Sequence, residues 1–319
     1  MEPFVKHILT PLALTLIAAP ALAQDKMTVM LDWFINPDHG PIILAEEKGY
    51  FTDAGLEVEL ISPADPNDPP RMVAAGRVDL AVSYQPELHL AQREGLDLRR
   101  VGTLVETPLT CLVVRADGPV KEMADLKGRK VGFAVAGVQE MLLDAMLSHH
   151  GVAPSEVEQI NIGWSISPAL MSGQVDGVIG AFRNFELNQM QIEGHEGRCF
   201  YPEAEGVPAY DELIYVAHAE DMDREMIARF LRATERAAAD IVNDPAASGE
   251  TFFASDAELR NELNTRAWED TWPRFATRPA AVDHGRYDRF EAFMQESGVV
   301  ETVIPAADLV VDVTAQAKP

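Results

Sequence analysis

The chain has 319 residues, 47% hydrophobic and 24% charged, a globular composition that excludes a disordered or low-complexity protein. Its 26 Lys plus Arg against 51 Asp plus Glu leave a formal net charge of −25, a field that repels nucleic acid and anionic bilayers alike. Two cysteines cannot build a disulfide scaffold or a four-thiolate metal centre, and the length suggests roughly two domains.

Residues 1–23 carry Lys6 and His7, an apolar run over 8–19 and the small-x-small box Ala21-Leu22-Ala23. That is the three-part pattern of a secretory leader cleaved before Gln24. No cysteine lies at the cleavage point, so lipid attachment there is chemically excluded. No later stretch is an unbroken apolar run near the roughly 18 residues that a membrane span requires. The product is expected to be exported and soluble.

Strands are expected at 27–31, 56–61, 78–82 and 100–104, with helices at 41–48, 71–75 and 86–93 between them. A Pro- and Asp-rich loop at 62–70 leads into the second helix. Strand–helix–strand recurrence at this spacing implies βαβ units, and strands without clean alternation fit burial on both faces. A strand at 109–114 is broken by Gly118-Pro119. A second series then runs through strands at 130–134, 157–160 and 175–179, with helices at 138–149 and 168–171. Two phrases, Ala75-Gly76-Arg77-Val78-Asp79-Leu80 and Ser172-Gly173-Gln174-Val175-Asp176-Gly177, share one shape of helix, glycine and strand. They suggest two lobes built alike. After a strand at 213–217, a helix at 222–242 carries Met226, Phe230, Ala233, Ala237 and Ile241 along one face. Further helices are expected at 256–268 and 283–296. The inferred architecture is α/β, two lobes around a ligand cleft with C-terminal helices packed on the first.

Polar and aromatic residues gather at strand ends, where open α/β sheets display ligand residues. The densest cluster follows the first strand: Asp32, Trp33, Asn36 and His39. A carboxylate, a planar apolar face and groups that donate or accept suit a flat, nitrogen-rich ring. The alternative is packing, with Asp32 or Asn36 capping the next turn and Trp33 in the core. Ser83-Tyr84-Gln85-Pro86-Glu87 offers Tyr84 as a cleft wall, while Glu87 equally suits a first helical turn. Gly137-Val138-Gln139-Glu140 opens a helix whose free N–H groups suit an acceptor, yet one glycine is far from a phosphate loop. In the segment 180–186, Glu186 suits an amine and Phe182 or Phe185 suits stacking, with Arg183 as the competing partner of Glu186.

Catalytic motifs are missing: there is no Gly-x-Ser-x-Gly, His-Glu-x-x-His, P-loop or dinucleotide fingerprint. His149 and His150 read as a helix end, not a metal site. Cys111 and Cys199 read as small buried residues, able to pair only if the fold brings them close.

The run 27–51, with Leu31-Asp32-Trp33, Asn36-Pro37, His39-Gly40 and Glu47-Lys48-Gly49-Tyr50-Phe51, resembles the thiamine-pyrimidine-precursor family. That family holds periplasmic binding proteins for formylaminopyrimidine, which serve ABC importers, and yeast-type enzymes that make hydroxymethylpyrimidine phosphate. Similarity extends through 79–84, 126–131 and 177–186, over most of 27–300; the 47–51 part alone marks a wider group that includes sulfonate and nitrate binders. The resemblance implies the two-lobed type II periplasmic-binding-protein fold. On that basis the chain divides into a leader (1–23), lobe 1 (24–115), lobe 2 (116–205) and a return to lobe 1 (206–319).

The resemblance also assigns ligand contacts to Asp32, Trp33, Asn36 and His39, to Tyr84, and to Glu186 as partner of the ring's amino group; Gln139 and Phe182 join them as expected contacts from the reading of their own segments. The family's enzymes attach pyridoxal phosphate to a lysine in the opening region and carry a cysteine-rich iron motif further on. This chain has no lysine between Asp32 and Glu47, and only Cys199 in its second half. With the leader, that selects the importer branch: a monomeric periplasmic protein, not an enzyme, with no cofactor or metal, a pyrimidine-like solute and an inner-membrane ABC permease as partners. Another small heterocycle, an amine or a sulfonate-like solute is the alternative, and a hydroxymethylpyrimidine-phosphate-synthase-like enzyme a more distant one. Ile35 and Asp38 depart from the family pattern, and 136–140 lacks a serine-rich anion cradle, which favours a neutral or cationic pyrimidine over a phosphorylated one.

Overall fold

The computed structural model describes residues 24–315, so the leader read at 1–23 lies outside the described residues. The first lobe is built on strands β1 (Asp25–Met30), β2 (Leu56–Ile61), β3 (Leu80–Ser83) and β4 (Leu98–Val105). The second holds β5 (Thr110–Arg115), β6 (Lys130–Phe133), β7 (Glu158–Asn161), β8 (Gly177–Phe182) and β9 (Gly197–Phe200), after which β10 (Leu213–His218) returns to the first. The sheet orders are β2-β1-β3-β10-β4 and β7-β6-β8-β5-β9. In each, three parallel strands are followed by one that runs antiparallel to both neighbours: β10 in the first, β5 in the second. Each of these has just crossed from the other lobe.

This corrects the division at residue 115. The segment 110–115 is a strand of the second sheet, so the chain crosses within 106–109. An apolar strand carries no local mark of which sheet it joins. The return crossing, 201–212, is tied to the outward one by Glu212. Its Oε2 accepts from the N–H of Leu109 (2.6 Å) and Thr110 (2.8 Å), and Oε1 accepts from Thr110 Oγ1 (2.8 Å).

Helices cover the sheets: α1 (Gly40–Glu47), α2 (Tyr50–Asp53), α3 (Pro69–Ala74) and α4 (Gln85–Arg93) in the first lobe, α5 (Val138–His149), α6 (Ile166–Met171) and α7 (Glu186–Ile192) in the second. The repeated phrases do the same work in both lobes. Gly76 and Gly173 end α3 and α6 at φ of 63° and 74°, in the left-handed region that glycine adopts without strain. The aspartate three residues on then accepts from a backbone N–H of the neighbouring strand: Asp79 from Thr28 (2.7 Å), Asp176 from Lys130 (3.1 Å).

The C-terminal part adds α8 (Arg224–Asn243), α9 (Pro245–Ser255), α10 (Glu262–Thr271) and α11 (His284–Glu296). The apolar face expected on α8 is buried throughout, and Phe230 stacks on Phe51 at 5.1 Å. The helix expected over 256–268 is instead a short helical turn, Ala257–Leu259, followed by α10, with α9 ending just before it at Ser255. Asp256 and Asn261 accept from the N–H groups of Glu258 and Asn264, caps that restart the chain twice. Gly249 hides α9 from sequence reading, yet a Cβ there would lie 2.9 Å from Trp268 Nε1. The glycine lets Trp268 lie against α9 and donate to Pro245 O (3.0 Å). These helices pack on lobe 1, although α10 also reaches lobe 2, where Asn188 donates to Asp270 (2.8 Å).

Cys111 of β5 and Cys199 of β9 form a disulfide, with Cα atoms 5.6 Å apart and a sequence separation of 88. Among the described residues no helix is long and apolar enough to cross a membrane.

Candidate functional site

The ends of β1, β3, β6 and β8 converge between the lobes on one cavity, about 410 Å³ of atom-free space including its mouth. Its wall carries Asp32, Trp33, Asn36, Tyr84, Gln139, Phe182 and Glu186, seven of the eight residues singled out in the sequence. The eighth, His39, does not reach it. His39 is fully buried behind Asp32 and donates to Asp32 Oδ1 from Nε2 (3.0 Å). The N–H of Asn36 donates to His39 Nδ1 (3.3 Å), which fixes the proton on Nε2. The role read for His39 as a ligand contact is therefore replaced by that of a brace.

Asp32 accepts on its other oxygen from the Tyr84 hydroxyl (2.9 Å), so one carboxylate from the β1 end is held by groups on two elements. Asn36 satisfies the packing reading too: Oδ1 caps the turn at Asp38 N (2.8 Å) and Nδ2 donates to Phe34 O (3.1 Å). It supplies wall, with both ends of its amide engaged. Gln139 Oε1 accepts from the N–H of Ala134 (2.7 Å) and Val135 (3.1 Å), which orients the amide nitrogen as the end left to donate. Gly180 makes room for it. A Cβ on Gly180, whose φ is +90°, would lie 2.1 Å from Gln139 Nε2.

Glu186 opens α7 and accepts from Phe182 N on Oε2 (2.6 Å). Arg183, the competing partner, pairs with Glu203 (2.6 Å) and covers the ring of Tyr201, so among the described residues no cation claims Glu186. Burial pushes the Glu186 carboxyl up to about 8, and the nearby Asp38 adds to the rise. Asp38 was read only as an extra acid, yet it lines the same cavity. It accepts from Asn184 Nδ2 (2.6 Å), a bond between lobes, and burial pushes its carboxyl up to about 6. Val135, Ile166 and Phe185 complete the wall; the first two are apolar residues with no periodic signal to mark them. Among the described residues lining the cavity there is no lysine, arginine or histidine.

Such a site has three carboxylates, an amide donor and an indole face, and can hold a flat solute rich in N–H groups. Contacts across the cleft keep it shut: Asn184 to Asp38, Ala136 N to Asn67 Oδ1 (2.8 Å), and Trp33 against Trp164 at 4.1 Å between ring centroids.

Two mixed α/β lobes with a closed interlobe cavity define the type II periplasmic-binding-protein fold. The aliphatic sulphonate binding protein SsuA of Escherichia coli shares it, with a TM-score of 0.71 at 16% identity over 92% of this chain and 94% of that one. The chain belongs to the NMT1/THI5-like family, which matches residues 36–248. It is 46% identical over 299 residues to a Haemophilus influenzae protein named for thiamine biosynthesis, covering 93% of this chain and 95% of that protein. It is 33% identical to the formylaminopyrimidine-binding protein of Halalkalibacterium halodurans, over 70% and 68% of the two chains. A third relative, at 27% over 80% and 77%, is the 4-amino-5-hydroxymethyl-2-methylpyrimidine phosphate synthase of Schizosaccharomyces pombe.

Proposed function

We propose that this chain is the periplasmic solute-binding component of an ABC importer and that it captures a thiamine-related aminopyrimidine, of the formylaminopyrimidine or hydroxymethylpyrimidine kind. The observation that carries the proposal is the cation-free cavity, in which carboxylates from both lobes face one indole surface. An aminopyrimidine presents an exocyclic amine, which donates to Glu186, and ring nitrogens, which accept from Gln139 Nε2. Its flat face lies on Trp33. A solute gripped from both lobes favours their closed arrangement, and a permease then reads that shape. The relative that binds formylaminopyrimidine supports the solute, and the cavity's lack of any cation disfavours a phosphate ester.

The synthase relatives make an enzyme the second reading. It is disfavoured because no lysine lines the cavity among the described residues and both cysteines are held in one disulfide. Mass spectrometry of the solute carried through native purification tests the proposal. An aminopyrimidine at near-unit occupancy, unchanged on incubation, is the expected result. A sulfonate in its place, or product accumulating beyond one equivalent, would overturn it.

A further inference from the structure

A second space adjoins the ring cavity. It holds about 1230 Å³ of atom-free space open to solvent, and it shares Trp33, Ile166, Phe185 and Glu186 with the cavity as a common wall. Beyond that wall it is aromatic. Phe34 from lobe 1 and Trp164 from lobe 2 face each other at 6.4 Å between centroids, 46% and 41% exposed, unusual for rings this large. Its charge is one-sided: Glu186, Asp256 and Glu258 line it, and no lysine, arginine or histidine does among the described residues. It also contains a loose end. Ser167 is 1% exposed, lines this groove, and its hydroxyl has no hydrogen-bond partner among the described residues. A buried hydroxyl without a partner is costly unless something supplies one.

We infer that this outer groove is a second subsite, which takes a flat cationic substituent carried by the same solute whose pyrimidine ring fills the inner cavity. The aromatic faces of Phe34 and Trp164 attract a delocalised cation, the carboxylates on the rim add to its field, and Ser167 meets a polar atom of the substituent. An anionic substituent meets repulsion from the same groups. The inference rests on the aminopyrimidine reading and extends it from a bare ring to a conjugate of two rings.

Isothermal titration with three probes tests it: 4-amino-5-hydroxymethyl-2-methylpyrimidine, its phosphate ester, and the same ring joined through its methylene to a hydroxylated pyridinium. The pyridinium conjugate is expected to bind about tenfold tighter than the bare ring, and the phosphate ester more weakly than either. Ser167→Ala removes only the unpartnered hydroxyl, and Glu258→Lys places a cation on an exposed rim position. Each is expected to lower the conjugate's affinity about three- to tenfold and leave the bare ring's unchanged. A conjugate that binds no tighter than the bare ring would overturn the second subsite and leave the pyrimidine reading standing. A gain that survives both substitutions would place the substituent elsewhere and likewise overturn it. Binding of none of the three probes would overturn both readings.

Discussion

On the proposed reading Glu186 is the residue on which recognition turns, because it is buried, claimed by no cation among the described residues and supplied by the lobe opposite Asp32. Glu186→Gln keeps its size and removes the charge that the carboxyl gains when it gives up its proton to accept from the amine. Against an aminopyrimidine the expected loss is about 1.5–3 kcal/mol, the worth of a hydrogen bond to a charged group. A ring lacking the exocyclic amine should lose much less. A double-mutant cycle checks this, and additive losses would show that Glu186 does not meet the amine. Trp33 and Phe34 make a second comparison. Trp33 lines the cavity, while Phe34 points outward toward Trp164. Trp33→Ala is expected to cost about 1–3 kcal/mol in ring affinity and Phe34→Ala little, read by titration with folding checked by circular dichroism. Equal and negligible losses would assign Trp33 to packing. Among single residues the opening motif was legible because it concentrates polar and aromatic groups after a strand. The placement of His39 was not, since a histidine that braces a ligand residue and one that touches the ligand look alike in sequence.

At the level of elements, the strand and helix series was readable wherever apolar runs were bounded by glycine or proline, as at β2 and α5. Three features were not. The membership of β5 depends on long-range pairing, β9 is only four residues at a sheet edge, and α9 carries a glycine whose reason lies in α10. The pairing of Cys111 with Cys199 belongs with these, because it follows from β5 and β9 being neighbours. That disulfide closes nearly the whole second lobe into a covalent loop. Chain-entropy reasoning for a loop of this size gives roughly 4–5 kcal/mol, and removal of native disulfides typically costs about 2–5 kcal/mol. Urea unfolding of the Cys111→Ala/Cys199→Ala variant is expected to show a loss in that range. An unchanged midpoint would mean that the two thiols are not bonded in the folded protein or that the bond constrains nothing.

For the whole molecule, the cost of keeping carboxyl groups buried in the cleft sets a pH dependence. Glu186 sits at about 8 when folded, against its ordinary 4.5. The folded state keeps a proton that the unfolded chain has released, so this contribution is complete below about pH 4.5 and is lost as pH rises toward 8. The thermal midpoint of the wild type relative to Glu186→Gln is expected to fall from about pH 5 to pH 8 and then level off. A flat difference would mean that Glu186 is already ionised at the lower pH. The same carboxylates become useful once a solute with N–H donors meets them. The most direct test is isothermal titration of the ligand-stripped protein with 4-amino-5-hydroxymethyl-2-methylpyrimidine and its formylamino relative. One site per chain and a dissociation constant well below about 1 mM, weakened by Glu186→Gln, are expected. No binding tighter than millimolar by either compound, in protein shown to be folded, would contradict it.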